Sequence, residues 1–286
     1  MDLVWLGWAL VTTAVWGIGT LTSKPATDGK GARFMLLGAA ATEAVAFGVL
    51  GLLLPRNEFP QDGGLIAVGF AAGAAGMLGY AMFYEGLRLG EVGVVGTVTA
   101  AYPVVTVLLG VLLLQESLTF AQAAGVALVI ACILLLAIEP RAAGRPSRAV
   151  LALSVLGFLA WGVWGYLAKT AVDGMGEANL FLLYAAANAA VGTAYFAVRR
   201  GGRSTGPGSG KALRLALVTL ACGAAGVFSL TLAYANGPAS LVTPVTGAYP
   251  IVSTLGAAAL LKEAFSARIA GALVCFGAGI ALISIV

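Results

Sequence analysis

Glu43 is a carboxylate in the middle of an apolar run, GAAATEAVAFG, residues 38–48. On the lipid side of a membrane helix an acidic group costs about 2.5–3.5 kcal/mol on insertion scales, so it turns inward and finds a partner. Three kinds of chemistry suit such a group. It can take up and release a proton, it can pair with the ammonium of a solute, or, protonated, it can hydrogen-bond a neighbouring helix as glue. A second set of residues is aromatic. Trp16, Trp161, Tyr102 and Tyr249 fall at or near the middle of apolar runs, whereas Trp and Tyr ordinarily collect at the membrane–water interfaces. At mid-depth a ring either packs between helices or lines a cavity where its polar edge meets a partner. Trp5, Trp8, Tyr84 and Tyr195 fit the ordinary role of interface anchors. Tyr80 shares a helix face with Tyr84 by i,i+4 spacing, and Trp164 lies one turn beyond Trp161; both are candidate lining residues.

These residues sit in a duplication. VWGIGTLTSKPATDG, ending at Gly29, returns as AWGVWGYLAKTAVDG, ending at Gly174, with six of the fourteen positions from Trp16 identical. TAAYPVVTVLLGVLLLQE, Thr99 to Glu116, returns as TGAYPIVSTLGAAALLKE, Thr246 to Glu263, with nine of eighteen identical. The offset is 145 in the first block and 147 in the second. Trp16 and Trp161 are therefore copies, as are Tyr102 and Tyr249. The offset of 145 also carries Glu43 onto Asn188, a lone polar residue in YAAANAAVG. Two repeat-related polar residues at mid-depth point to one shared site near the axis between the copies. Gly19 occupies the position of Trp164 in the other copy, so Trp164 breaks the symmetry of that site.

The elements that must position these residues are membrane spans. Sixty per cent of the chain is apolar and ten per cent is charged, against about 25% charge in a soluble domain. Spans of about 20 apolar residues can be drawn ten times, at 3–24, 33–54, 65–87, 93–114, 119–138, 149–169, 178–198, 212–235, 239–261 and 267–286. The expected fold is an all-α integral membrane protein of ten transmembrane helices. Its first five-helix repeat covers 1–140, a Pro- and Arg-rich hinge loop 141–148, and a second repeat 149–286. Five is odd, so the second repeat enters the membrane from the opposite face and the two are inverted. Fourteen of the sixteen basic residues then follow odd-numbered spans, leaving Arg56 and Lys169 on the other face. By the positive-inside rule the first face is cytoplasmic and both termini are external. The N-terminus MDLVWLGW has no basic region and reads as the start of a helix.

Pro103, Pro244 and Pro250 fall inside the fourth and ninth spans. Each removes a backbone hydrogen bond and frees a carbonyl, as a hinge, a gate or a fixed kink does. Glu116 and Glu263 close these same spans, as caps of the following turn or as gate ion pairs, with Lys262 beside the latter. Lys24 and Lys169 end the first and sixth spans, where a cation complements the helix dipole and snorkels to the interface.

With Trp-Gly…Lys early and Tyr-Pro…Glu late in each half, the chain resembles the drug/metabolite transporter superfamily, in its EamA-type branch. The resemblance covers nearly the whole length. It implies a ten-helix carrier of small organic metabolites, often amino acids, with the site between the halves. It also implies termini on the inside, against the charge count. LTSKPATDG and LAKTAVDG further resemble the end of the first helix of small multidrug resistance carriers. Those hold a carboxylate eight residues before the Lys, where this chain has Trp16 and Trp161.

The expected function is secondary transport, by alternating access, of a small amphipathic metabolite that is amino-acid-like or aromatic. Trp16, Glu43, Tyr80, Tyr102, Trp161, Trp164, Asn188 and Tyr249 are its candidate binding residues. The alternative is proton-coupled efflux of lipophilic cations, with Glu43 as the titrating carboxylate. An intramembrane enzyme or a scaffold is a distant third: the chain has no His and no paired intramembrane carboxylates, and catalysis needs a nucleophile–base pair or metal ligands. GPGSGK, residues 206–211, lacks the first glycine and the final hydroxyl of a phosphate loop, so energy comes from gradients. Cys132, Cys222 and Cys275 all lie in apolar runs and make no disulfide framework. No cofactor or metal is expected. The expected partners are a small solute and the bilayer, with protons where Glu43 couples them, and no nucleic acid, for a monomer or weak dimer.

Overall fold

The structure, a computed structural model, describes residues 3–55, 58–89, 92–137, 147–198, 210–261 and 266–285. Regular structure among them is helical throughout: α1 (Val4–Lys30), α2 (Ala32–Leu53), α3 (Gly63–Leu89), α4 (Val92–Ala100), α5 (Pro103–Leu113), α6 (Phe120–Ala137), α7 (Arg148–Val198), α8 (Gly210–Asn236), α9 (Ala239–Gly247), α10 (Pro250–Leu261) and α11 (Ala267–Ile283). Six stretches are long and apolar enough to cross a membrane: α1, α2, α3, Val94–Leu113, α7 and α8. Helices α6 and α11 are apolar but shorter. Leu52, Leu53, Leu112, Leu217 and Val274 are among many large apolar side chains left on the outer surface. In a soluble protein that would be a liability; in hydrocarbon it is the stable arrangement.

Small residues set how closely the helices approach. Helix α1 packs along α8, α3 and α2 along α7, and α6 along α11. Between α6 and α11 the backbones nearly touch: a Cβ on Gly125 would lie 2.7 Å from the Gly279 carbonyl oxygen, and one on Gly279 would lie 2.9 Å from that of Gly125. Without water to drive helices together, such close packing is the main source of cohesion.

Two spans drawn as continuous are broken. The backbone leaves the helix at Ala101–Tyr102 and restarts at Pro103; it leaves again at Ala248–Tyr249 and restarts at Pro250. Pro at the first helical position lacks only a donor that would be unpaired anyway. Pro244 lies inside α9. One join was drawn as two ends. Spans expected to stop at 169 and restart at 178 form α7, whose 51 residues break only at Gly176, at φ 77° and ψ 166°, a conformation glycine alone adopts readily. At 1.5 Å per residue a straight helix of that length would far exceed one bilayer, so the break marks a reversal. Helix α1 also runs past its expected end at 24, to Lys30, carrying Pro25 within it. Arg56, Lys262, Glu263, most of the hinge loop and residues 199–209 lie outside the described residues.

Candidate functional site

Helices α1, α2, α3, α7 and α8, with the two breaks, line a cavity. All eight candidate binding residues line it: Trp16 from α1, Glu43 from α2, Tyr80 from α3, Trp161, Trp164 and Asn188 from α7, and Tyr102 and Tyr249 from the two breaks. The interrupted helices explain why Tyr102 and Tyr249 reach in.

The two tryptophans of the repeat are held alike. Trp16 Nε1 donates to the Gly223 carbonyl oxygen at 3.4 Å, and Trp161 Nε1 to that of Gly76 at 3.2 Å. Gly76 and Gly223 are themselves related by the offset of 147. Each indole lies over a second glycine: a Cβ on Gly226 would collide with Trp16, and one on Gly79 with Trp161. Trp16 meets Tyr249 edge-on, with centroids 6.1 Å apart at 85°, and Trp161 meets Tyr102 at 6.3 Å and 72°.

Glu43 and Asn188 touch. Asn188 Nδ2 donates to Glu43 Oε2 at 2.9 Å, across 145 residues of sequence, the offset of the first block. Glu43 is 4% exposed and Asn188 2%. The Tyr80 hydroxyl approaches the same carboxyl. A buried carboxyl without such partners would be severely destabilising.

Other residues were not anticipated. Tyr84, expected at an interface, is 2% exposed, stacks on Tyr80 at 5.9 Å and lines the cavity. Trp5 is wholly buried against Gly237. Tyr184 accepts a hydrogen bond from Trp164 Nε1 at 3.1 Å. It stands four residues before Asn188 on the same helix face, a spacing that could have revealed it. Thr20, Ser23 and Thr219 extend the lining toward the C-terminal end of α1 and the N-terminal end of α8. That is the end of the bundle where Lys30, Arg33 and Arg214 gather.

The opposite end is filled. Every residue of α9 is buried. Glu116 does not cap the turn that follows it. Its two carboxylate oxygens accept the Ala239 and Ser240 N–H groups at 2.7 and 2.8 Å, capping α9 from more than 120 residues away. A carboxylate there satisfies orphan donors and meets the positive end of the helix dipole. One turn deeper the Tyr234 hydroxyl bonds the Thr243 hydroxyl at 2.8 Å. The lysines do not serve their own helix ends. Lys24 Nζ donates to the Leu87 carbonyl in the last turn of α3 at 3.0 Å, and Lys169 Nζ to that of Tyr234 in the last turn of α8 at 2.8 Å. Each also pairs with an aspartate, Asp28 or Asp173. Pro103 and Pro250 restart helices beside the cavity, and Pro244 sits in the closed α9.

A multi-helix membrane bundle with an internal cavity has the form of a carrier, and comparison with known proteins agrees. The EamA-like transporter family matches residues 3–138 and again 148–285, and the chain belongs to it. A chain known from a crystal structure is 21% identical, aligns over 97% of this chain and 96% of its own, and superposes with a TM-score of 0.71, sharing the fold. No curated protein matches.

Proposed function

We propose that the protein is a secondary transporter that moves a small amphipathic organic metabolite, amino-acid-like or aromatic, across the cytoplasmic membrane by alternating access. In this reading ten spans form two inverted five-helix repeats, residues 1–140 and 149–286, joined by the 141–148 loop. Both termini are external. The cavity then extends toward the cytoplasm, since its lining reaches the basic end, and the α9 end is the closed gate. Pro103 and Pro250 are the hinge positions, and Pro244 travels with α9.

The single observation that carries the reading is the Glu43–Asn188 pair. Residues one repeat offset apart can meet only where the two copies face one another, and this meeting point opens on a cavity lined by both halves. A mid-membrane site between repeats is the arrangement that lets one half rock against the other around bound solute.

The test uses protein in proteoliposomes and a panel of amino acids and aromatic amines, with and without a pH gradient. Counterflow of at least one of them is expected; none across the panel overturns the reading. Glu43→Gln keeps shape and hydrogen bonding but cannot titrate. It is expected to abolish accumulation driven by the pH gradient while downhill exchange continues. A pH profile of transport unchanged in Glu43→Gln would remove any role for protons at this residue and leave a simple facilitator.

A further inference from the structure

The lining of the cavity carries one acidic group and many aromatic rings but no cation. Among its residues Glu43 is the one acidic side chain, and there is no Lys or Arg. Most of the side-chain N–H groups are already engaged. The three indoles donate to Gly223, Gly76 and Tyr184, and Asn188 donates to Glu43. The aliphatic hydroxyls are turned back into their own helices: Thr20 donates to the Trp16 carbonyl at 2.8 Å, Ser23 to that of Thr20 at 2.9 Å, and Thr219 to that of Leu215 at 3.0 Å. Two cations outside the lining are committed, while Lys30, Arg33 and Arg214 stand at the basic end and are not part of the lining. Lys24 is held by Asp28 and the Leu87 carbonyl, and Arg88 by Glu85 at 2.8 Å. An entering carboxylate finds tyrosine hydroxyls and the Glu43 carboxyl, and no cation in the lining. An entering ammonium finds the Glu43 carboxylate, the Asn188 side-chain oxygen and the faces of several electron-rich rings, the environment in which cation–π attraction is strongest.

Resting on the transport reading above, we infer that the solute is an organic ammonium with an aromatic or bulky apolar body and no carboxylate. Its charged head sits between Glu43 and Asn188, and its body lies among Tyr80, Trp161 and Trp164. Amino acids, which the sequence alone brings forward, are disfavoured because the carboxylate of the zwitterion meets neutral hydroxyls and no cation in the lining. A buried unpaired charge is the costliest defect a binding site can carry.

Three probes that share a ring and chain test this on the purified protein in detergent, by calorimetry: 2-phenylethylamine, phenylalanine and 3-phenylpropionate. They carry the ammonium alone, both charges, and the carboxylate alone. The amine is expected to bind at least tenfold more tightly than phenylalanine, and the acid not to bind. Glu43→Gln is expected to weaken the amine at least tenfold. Equal or tighter binding of phenylalanine, or no saturable binding of the amine, overturns the substrate class. If Glu43→Gln does not fold, the three-probe series on the unaltered protein still decides. A proteoliposome assay separates the two readings. Amine binding without amine counterflow leaves the substrate class standing and defeats transport; counterflow of phenylalanine but not of the amine does the reverse.

Discussion

Trp16 and Trp161 make the same hydrogen bond to a repeat-related glycine, yet they keep different company. Trp161 lies against Tyr80 and Phe83, each with ring centroids 5.6 Å away. These come from α3. At the equivalent positions α8 carries Val227 and Leu230, so Trp16 has no such neighbours. Its extra partner is Trp164, at 6.1 Å, which has only Gly19 as its copy. The shared scaffold is thus an indole clamped to a backbone carbonyl over a glycine, with a tyrosine edge-on at a helix break. What diverged is the face turned to the cavity. The repeat sets where rings can stand, and the departures from it shape the space between them.

The sharpest way to break this comparison is topological. Gly63 and Gly210 are related by the offset of 147 and begin α3 and α8, and both have open space around them. If the repeats are inverted, a cysteine at each, with Cys132, Cys222 and Cys275 replaced, will label from opposite sides. An impermeant thiol reagent added to intact cells is expected to reach position 63 and not 210. Labelling of both from one side defeats the inversion, and labelling of 210 alone reverses the orientation.

A smaller effect separates the two indoles. Trp161→Ala is expected to weaken solute binding by about 3 kcal/mol and Trp16→Ala by about 1–2 kcal/mol, the range of aromatic anchors, because Trp161 organises more of the aromatic wall. Calorimetry with each variant checks this. Loss of folding in both, with normal affinity in the surviving fraction, would make them packing residues. The smallest effect concerns the lysines. Lys169 is 12% exposed and Lys24 31%, so solvent screens the second more. Lys169→Met should lower the stability of the detergent-solubilised protein by about 1 kcal/mol and Lys24→Met by less, read from thermal melting. The reverse order would show that burial does not rank the two copies.

Much of the site was legible because membranes make polar and aromatic residues conspicuous. Glu43, Asn188 and the copied aromatics stood out against alanine and valine, and the prolines marked where helices restart. Tyr84 was misplaced because nearness to the end of a span looks the same whether the side chain faces lipid or protein. Tyr184 was passed over although Asn188 lay one turn away. Glu116 shows a deeper limit. Its partners are the N–H groups of Ala239 and Ser240, and backbone donors of a distant helix leave no trace in the residues that carry them. The same holds for the carbonyls of Leu87 and Tyr234 that the lysines reach. The join at Gly176 was hidden because a reversal that needs only one glycine leaves no polar loop.

The contact between Glu43 and Asn188 also says something about a single chain as against a pair of chains. Two identical subunits related by a two-fold axis must present the same side chain to that axis from both sides. Two glutamates there would repel, and two asparagines would carry no charge. A fused chain is released from that constraint. It can set a carboxyl in one half and an amide in the other, so that the donor is built in and a single ionisable group stands where they meet. Whatever solute the cavity takes, joining the halves in one chain has given it a site with one ionisable group and a direction, which no homodimer of either half could offer.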